Sequence, residues 1–137
     1  MVQTAYANGM STKFMQEKLG MKALLAKTGV KHLHGLAETF DIGIYFEANG
    51  HGTILFKKMF IDALEQSSEG STDTGKKLKA VYLLSNQATG DAISNLLLVD
   101  VALRLLGWSM NEWAALYQDL PSSMLKVAPT TWPCGSI

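Results

Sequence analysis

Three polar side chains recur at every second position of one short turn in this sequence. The turn reads EANGHG and supplies Glu47, Asn49 and His51, which are separated by Ala48 and Gly50. Small residues let a ligand approach the backbone, and glycine tolerates a positive φ. A carboxylate and an amide can together bind adjacent hydroxyl groups, because the first accepts hydrogen bonds and the second donates and accepts them. The turn is therefore typical of a sugar site, and a plain solvated hairpin turn is the alternative.

A second candidate lies in KTGVKHLH, residues 27–34, where a predicted strand leads into a predicted helix. The first backbone N–H groups of a helix have no partner within the helix, so together with Lys31 they can bind an anion. The stretch lacks the complete glycine-rich pattern of a phosphate-binding loop. An anion site beside Thr28 and Gly29 and an ordinary helix start therefore both stay open.

Metal binding and nucleophilic catalysis are only weakly indicated. His32 and His34 are two residues apart, and side chains at that spacing on a helix do not face each other. A zinc site would need these histidines in a strand, which the pattern does not predict. Ser85, Ser94 and Cys134 have no base at a recognisable spacing, so no catalytic nucleophile is assigned. The side chains weighed for a metal site are His32, His34, His51, Glu38, Asp41 and Glu47.

The composition indicates one globular domain without an electrostatic preference for nucleic acid. The chain has 137 residues, 47% of them hydrophobic, and its 12 basic and 12 acidic side chains cancel. A neutral chain whose single arginine is Arg104 is poorly suited to binding phosphate backbones. The single cysteine, Cys134, excludes an internal disulfide and favours a reducing compartment such as the cytosol. The chain starts without a basic segment before an apolar run, so no signal peptide is predicted.

The elements that must position these residues alternate between strand and helix over the first 56 residues. This order favours an α/β architecture. An Asn-Gly pair within a short connection predicts an antiparallel hairpin, so we expect a mixed sheet with helices on its faces. Ser11 or Thr12 is the predicted cap of the first helix, and Gly20 its predicted end. The predicted strands are 2–7 and 21–29, the predicted helices are 11–20 and 30–40, and the hairpin covers 40–56.

The second half is predicted to be helical after a polar break at residues 66–76, which is typical of a solvated, mobile loop. Residues 92–108 are the most apolar stretch. They include two charges and are too short for a comfortable membrane span, so they favour a buried helix. The predicted helices are 76–87, 92–106 between an Asp91 cap and Gly107, and a last helix that a Ser109–Glu112 capping box opens and Pro121 stops. A strand is predicted at 124–129, and an irregular tail at 128–137 follows a domain of residues 1–127.

The residues themselves resemble a known family. TAYANGMST, KTGVKHLH, FDIGIYFEANGHGTILF, NQATGDAISNLLLVDVAL and WAALYQDLP are similar to stretches of the phosphoacetylglucosamine mutases, which belong to the phosphohexomutase superfamily. The resemblance covers residues 2 to about 127, and the EANGHG turn is its most specific element. It is restricted to the third of four domains, so it implies the mixed α/β fold of that domain.

The resemblance implies a role in recognising a sugar. The family interconverts N-acetylglucosamine 6-phosphate and N-acetylglucosamine 1-phosphate on the route to UDP-N-acetylglucosamine. A phosphoserine in the first domain donates the phosphoryl group, and the second domain holds a Mg²⁺ ion. The third domain contributes the loop that binds the sugar. Carried over to this sequence, the substrate-binding residues are Glu47, Asn49, Gly50 and His51, and the neighbouring cleft loop contains Thr28, Gly29 and Lys31.

Three motifs of the family are missing from this sequence. It has no Ser-His-Asn-Pro-type phosphoserine loop, no Asp-x-Asp-x-Asp metal loop and no Arg-x-Ser-Gly-Thr phosphate loop. Phosphoryl transfer depends on the groups that such loops position. We therefore expect a truncated chain that holds no cofactor, packs against the other three mutase domains and is inactive alone. A non-catalytic module that binds an amino-sugar phosphate or has a regulatory role is the alternative.

Overall fold

The computed structural model describes residues 1–123 and 125, and a four-stranded sheet forms its centre. The strand order is β2-β1-β3-β4. Strand β1 pairs in parallel with both β2 and β3, whereas β3 and β4 form an antiparallel hairpin. The mixed sheet predicted from the sequence is thereby confirmed. The strands are β1 (Val2–Thr4), β2 (Leu24–Ala26), β3 (Ile42–Phe46) and β4 (Gly52–Phe56).

Helices alternate with the first three strands, and all regular elements of the described chain after β4 are helical. This order confirms the predicted α/β first half and the predicted helical second half. A short 3-10 helix, Ser68–Ser71, lies between the third and fourth α-helices. The α-helices are α1 (Gly9–Glu17), α2 (Val30–Ala37), α3 (Lys58–Gln66), α4 (Asp73–Leu84), α5 (Ala92–Leu106) and α6 (Met110–Ala114).

The hydrophobic core lies between α2 and one face of the sheet. Leu33 and Ala37 are four residues apart, so they share the face of α2 that turns toward the strands. Gly43 lets the helix come close, since a Cβ at this position would overlap the carbonyl oxygen of Ala37. The position of α2 against the sheet is therefore set by the absence of a side chain on β3. The buried cluster consists of Val2, Ala26, Leu33, Ala37, Tyr45 and Leu55.

The start of α1 differs from the prediction. Asn8 is the N-cap, and its Oδ1 accepts a hydrogen bond from the Met10 amide at 3.0 Å. Ser11 and Thr12 instead bond the buried side chain of Gln3, which donates to Ser11 at 2.9 Å and accepts from Thr12 at 2.8 Å. The prediction of Ser11 or Thr12 as the cap is therefore wrong, because both hydroxyl groups form hydrogen bonds with the buried amide of Gln3 on β1.

The loop predicted at residues 66–76 is also wrong, because helical elements occupy most of this stretch. The predicted exposure to solvent is confirmed for most of its residues. Thr72 caps α4 by accepting a hydrogen bond from the Gly75 amide at 3.0 Å. Gly70 and Gly75 are buried, and a Cβ at either would overlap a carbonyl oxygen of the preceding segment, Leu64 or Glu69 respectively. The glycines that suggested flexibility allow close backbone packing.

The predicted bounds of α5 are confirmed. Asp91 caps the helix by accepting a hydrogen bond from the Ile93 amide at 2.9 Å, and Gly107 ends it with a left-handed φ of 67°. The capping box of Ser109 and Glu112 at the start of α6 is confirmed as well.

The predicted burial of α5 is wrong within the described residues, since none of its side chains is buried. The helix packs against the hairpin near its N-terminus and exposes much of its apolar surface. No helix of residues 1–123 and 125 is long and apolar enough to cross a membrane. The exposed large apolar side chains of α5 are Ile93, Leu96, Leu97, Val101, Leu105 and Leu106.

The last predicted helix is shorter than expected, because α6 ends at Ala114. The chain after it returns to α1, where the side chain of Asn8 donates to the Leu120 carbonyl at 2.8 Å and accepts from the Leu120 amide at 3.1 Å. Phe14 and Tyr117 stack in the same region, with ring centroids 5.5 Å apart. The predicted strand at 124–129 and the tail at 128–137 lie outside the described residues, apart from Leu125, which has no regular structure.

Candidate functional site

The EANGHG turn connects β3 to β4 and is held by its own backbone. The Glu47 amide donates to the His51 carbonyl at 2.8 Å, and the Gly50 amide donates to the Glu47 carbonyl at 3.0 Å. Gly50 has a φ of 88°, which favours glycine. The Asn49 side-chain oxygen accepts from the His51 amide at 2.9 Å, so the Asn49 NH₂ group is the part left to donate to a ligand.

The two candidate loops of the sequence analysis meet at Glu47. The Gly29 amide donates a hydrogen bond to the Glu47 Oε1 at 3.1 Å. Gly29 is the N-cap of α2, has a φ of 110° and offers no side chain for capping. The half-buried carboxylate of Glu47 therefore pairs with the backbone N–H of the N-cap, as the glutamate of a capping box does, and links the EANGHG turn to the start of α2.

The topology of the sheet explains why these loops meet. Because β2 and β3 both run parallel to β1, their carboxyl ends lie at the same edge of the sheet. The loop after Ala26 leads into α2, and the turn after Phe46 leads into β4. Ligands of open α/β sheets commonly bind outside the carboxyl ends of the strands. The candidate site occupies this edge.

The start of α2 adds positive potential to the site. The Val30 and Lys31 amides have no acceptor among the described residues, and the helix dipole favours negative charge here. Thr28 and Lys31 are exposed, and Lys31 forms no ion pair within residues 1–123 and 125. The arrangement offers a carboxylate for hydroxyl groups and a cationic helix start for an anion.

Asn95 is a residue of the site that the sequence analysis missed. From the first turns of α5 its side-chain NH₂ group donates to the Gly50 carbonyl at 3.1 Å and to the Gly52 carbonyl at 2.7 Å. Asparagine is an unfavourable residue in an apolar helix interior, and that was the available signal. The pairing itself could not be predicted, because it joins residues more than 40 positions apart.

The segment before α5 covers the free edge of β4. The Gln87 side chain donates to the Ile54 carbonyl at 3.0 Å and accepts from the Phe56 amide at 2.9 Å. The Thr53 hydroxyl donates to the Asn86 carbonyl at 2.7 Å. An edge strand otherwise presents unpaired backbone groups. The Gln87 side chain satisfies two of these backbone groups, and the Thr53 hydroxyl ties the strand to Asn86. Together they fix the strand that leaves the EANGHG turn.

A negative charge lies next to the turn at the N-terminus of α5. The Ser94 hydroxyl donates to Asp91 at 2.7 Å, and this hydrogen bond, followed by that from the Ile93 amide, lowers the pKa of Asp91. The nearby His51 lowers it further. Asp91 therefore stays ionised at neutral pH.

The histidines and carboxylates that could have formed a metal site do not gather at one point. Among the described residues, no three His, Cys, Asp or Glu side chains are grouped as metal ligands. His34 instead lies between Tyr45 and Glu38, with Nδ1 3.1 Å from the phenol oxygen and Nε2 3.3 Å from the carboxylate. His34 thus forms a hydrogen bond with Tyr45 of the buried cluster.

Comparison with known proteins places this geometry in a family context. Residues 1–108 match the sequence profile of phosphoacetylglucosamine mutase AMG1, domain III. The chain is similar to the phosphoacetylglucosamine mutase of Arabidopsis thaliana, with 53% identity over 136 residues, and to that of Homo sapiens, with 49% identity over 130 residues. Each alignment covers 92% of this chain and 24% of the relative, so the chain spans about a quarter of the length of these relatives.

Solved structures show the same fold. The N-acetylphosphoglucosamine mutase of Aspergillus fumigatus, in complex with GlcNAc-6P and magnesium, is 47% identical with a TM-score of 0.80, over 88% of this chain and 25% of that one. An N-acetylglucosamine-phosphate mutase of the alpha-D-phosphohexomutase superfamily, in its substrate complex, is 45% identical with a TM-score of 0.79. It is matched over 88% of this chain and 23% of that one.

Proposed function

Because the chain belongs to the phosphoacetylglucosamine mutase family as its domain III, we propose that it supplies the sugar-recognition turn of such an enzyme. The proposed reaction of the whole enzyme interconverts N-acetylglucosamine 6-phosphate and N-acetylglucosamine 1-phosphate. The observation that carries the proposal is the hydrogen bond between Gly29 and Glu47, which joins the two loops predicted from the sequence into one site.

The sugar hydroxyl groups bind to Glu47 and Asn49 in this proposal. Glu47 uses Oε1 to hold the Gly29 amide, and its second oxygen accepts from a hydroxyl group. The NH₂ group of Asn49 donates to a neighbouring hydroxyl, since its oxygen is engaged by His51. Gly50 and His51 shape the surface on which the sugar ring lies.

The cleft loop of Thr28, Gly29 and Lys31 faces the anionic part of the ligand in this proposal. Amides at the start of α2 and the exposed Lys31 ammonium favour a phosphate electrostatically. This contribution is screened by salt because the groups are exposed. Sugar affinity of the chain is therefore expected to fall as the ionic strength rises.

The phosphoryl-transfer groups are proposed to lie in the other domains of the enzyme. The described residues offer no fitting magnesium site, because their carboxylates and histidines are not grouped and Glu47 already holds an amide. Mg²⁺, where the whole enzyme uses it, neutralises charge on the transferred phosphoryl group. The 137-residue chain is accordingly proposed to bind sugar phosphate without turnover. It is proposed to pack against the three other domains of the enzyme, in a reducing compartment such as the cytosol.

An NMR titration of the purified chain with N-acetylglucosamine 6-phosphate tests the proposal. We expect amide shifts confined to residues 28–31 and 47–52, and no formation of the 1-phosphate. Inorganic phosphate at equal concentration is the control for simple anion binding, and it should shift only the amide signals of residues 28–31. Turnover by this chain, or shifts remote from both loops, would contradict the proposal.

A further inference from the structure

We propose that Asn95 is a positioning residue that holds the sugar turn in its binding geometry, an inference that rests on the proposed function. Its side-chain NH₂ group spans the carbonyls of Gly50 and Gly52. These two carbonyls lie on either side of His51. The peptide plane between Gly50 and His51 and the one between Gly52 and Thr53 are therefore fixed from outside the hairpin, which restricts the backbone between Asn49 and β4.

The surroundings of Asn95 favour these hydrogen bonds. Asn95 is half-buried and borders an open groove of about 350 Å³ whose lining is almost entirely apolar. Because this lining offers few other acceptors to the amide, leaving it unpaired costs free energy, and the side chain is held to the two carbonyls. The other residues that line the groove are Phe46, Gly50, Ala92, Leu96, Val99 and Trp113.

The backbone around Asn95 is itself fixed against the turn. A Cβ at Gly90 would lie 2.6 Å from the Gly52 nitrogen, so the two glycines are in close contact. A Cβ at Gly50 would lie 3.4 Å from the Ala92 Cβ, which places the start of α5 directly behind the turn. The Asn95 amide donates to the Asp91 carbonyl at 3.0 Å, so Asn95 belongs to a capped helical turn.

The turn is thus held at two places by two different helices. Glu47 is tied to the start of α2 through Gly29, and Gly50 and Gly52 are tied to α5 through Asn95. Restricting a binding loop before the ligand arrives reduces the entropy lost on binding. The hydrogen bonds of Asn95 are expected to act on affinity in this way, without contact between Asn95 and the sugar.

Asn95→Leu tests the proposal, because leucine has the same branching and the same number of side-chain heavy atoms, suits an apolar groove, favours a helix and cannot donate a hydrogen bond. Asn111→Leu is the matched control, since Asn111 is exposed on α6. Amide ¹⁵N relaxation of residues 48–52 is measured in the ligand-free chains, and N-acetylglucosamine 6-phosphate affinity by titration. We expect greater mobility confined to the turn and affinity lower by about tenfold in Asn95→Leu, as for the loss of one to two net hydrogen bonds.

The two measurements separate the inference from the function on which it rests. Unchanged relaxation of the turn in Asn95→Leu, or affinity equal to that of Asn111→Leu, would overturn the positioning role of Asn95. If the unsubstituted chain does not bind the sugar phosphate, the proposed function fails, and the relaxation data alone then decide whether Asn95 holds the turn. Mobility that increases throughout the chain would count against a positioning role, because it would show a general loss of stability.

Discussion

The carboxylate of Glu47 accepts a hydrogen bond from the Gly29 amide at 3.1 Å, across 18 positions of sequence. The bond joins the end of a strand to the start of a neighbouring helix at one edge of the sheet. In the proposed function Glu47 has two tasks, since one oxygen accepts from the Gly29 amide at the helix start and the other accepts from a sugar hydroxyl group. Substitutions that separate the two tasks are possible, because glutamine keeps the acceptor and loses the charge.

Glu47→Gln is expected to leave the fold intact and to weaken binding of N-acetylglucosamine 6-phosphate. The glutamine oxygen can still accept from the Gly29 amide, so the free energy of unfolding should change little. Loss of a charged acceptor for a sugar hydroxyl should lower affinity by roughly tenfold to a hundredfold. Affinity is measured by titration and stability by urea unfolding.

Glu47→Ala is expected to add a loss of about 1 kcal/mol in unfolding free energy, because the Gly29 amide loses its acceptor. Glu17→Gln is the matched control for charge, since Glu17 is exposed on α1. Its affinity for the sugar phosphate should equal that of the unsubstituted chain. A Glu47→Gln chain that unfolds would show that the charge itself is structural.

Gly43→Ala is expected to lower the free energy of unfolding by about 1–3 kcal/mol, because the added methyl group would overlap the Ala37 carbonyl of α2. Gly35→Ala changes a residue of α2 itself, and no heavy atom lies within 4 Å of the added carbon. It should raise stability by about 0.5–1 kcal/mol through helix propensity. Urea unfolding of both variants measures the contrast. Equal effects of the two substitutions would contradict the packing of α2 on β3.

Asn8→Ala is expected to destabilise α1 by about 1 kcal/mol and to release the chain around Leu120. Asn8→Asp keeps an acceptor for the Met10 and Leu120 amides but loses the donor to the Leu120 carbonyl. Its effect on stability should therefore be smaller. Hydrogen exchange at the Leu120 amide, together with urea unfolding, measures both effects. Unchanged exchange in Asn8→Ala would show that the segment is held by Phe14 and Tyr117 alone.

Stability at acidic pH should depend on Asp91. Hydrogen bonds from Ser94 and Ile93 lower its pKa in the folded chain, so its contribution is present above the ordinary aspartate pKa and is lost as the pH falls through the lowered value. Asp91→Asn keeps a good helix cap that does not titrate. The difference in unfolding free energy between the two chains should therefore shrink below about pH 4. A difference that is independent of pH would contradict the role of the charge.

The sequence predicted those features that depend on neighbouring residues. Asp91 and Gly107 mark the ends of α5 because capping by aspartate and a left-handed glycine both act within one helical turn. The Asn-Gly pair predicted the β3–β4 turn, and the sugar-binding role that the family resemblance gives Glu47 and Asn49 stays a prediction. The same resemblance put Thr28, Gly29 and Lys31 in a neighbouring loop, and the structure shows a hydrogen bond from the Gly29 amide to Glu47 that links this loop to the turn.

Features that depend on distant residues were missed. The side chain of Gln3 determines what Ser11 and Thr12 bond, and that pairing outweighed their preference for a helix cap. Asn95 is linked to carbonyl groups, which carry no sequence signal because every residue has one. The apolar pattern of α5 indicated burial, whereas none of its side chains is buried among the described residues. Hydropathy shows that a side chain favours a buried position, and it does not show whether another segment covers that side chain.

The hydrogen bonds between Asn8 and Leu120 have a consequence for the order of events during synthesis. All four strands lie within the first 56 residues, but Leu120 is made 112 residues after Asn8. At about 5–20 residues per second, the ribosome adds that interval in roughly 6–20 s, a long time compared with helix and hairpin formation. The sheet and α1 can therefore form on the nascent chain while the surface of α1 that later receives Tyr117 and Leu120 is still uncovered and accessible to chaperones.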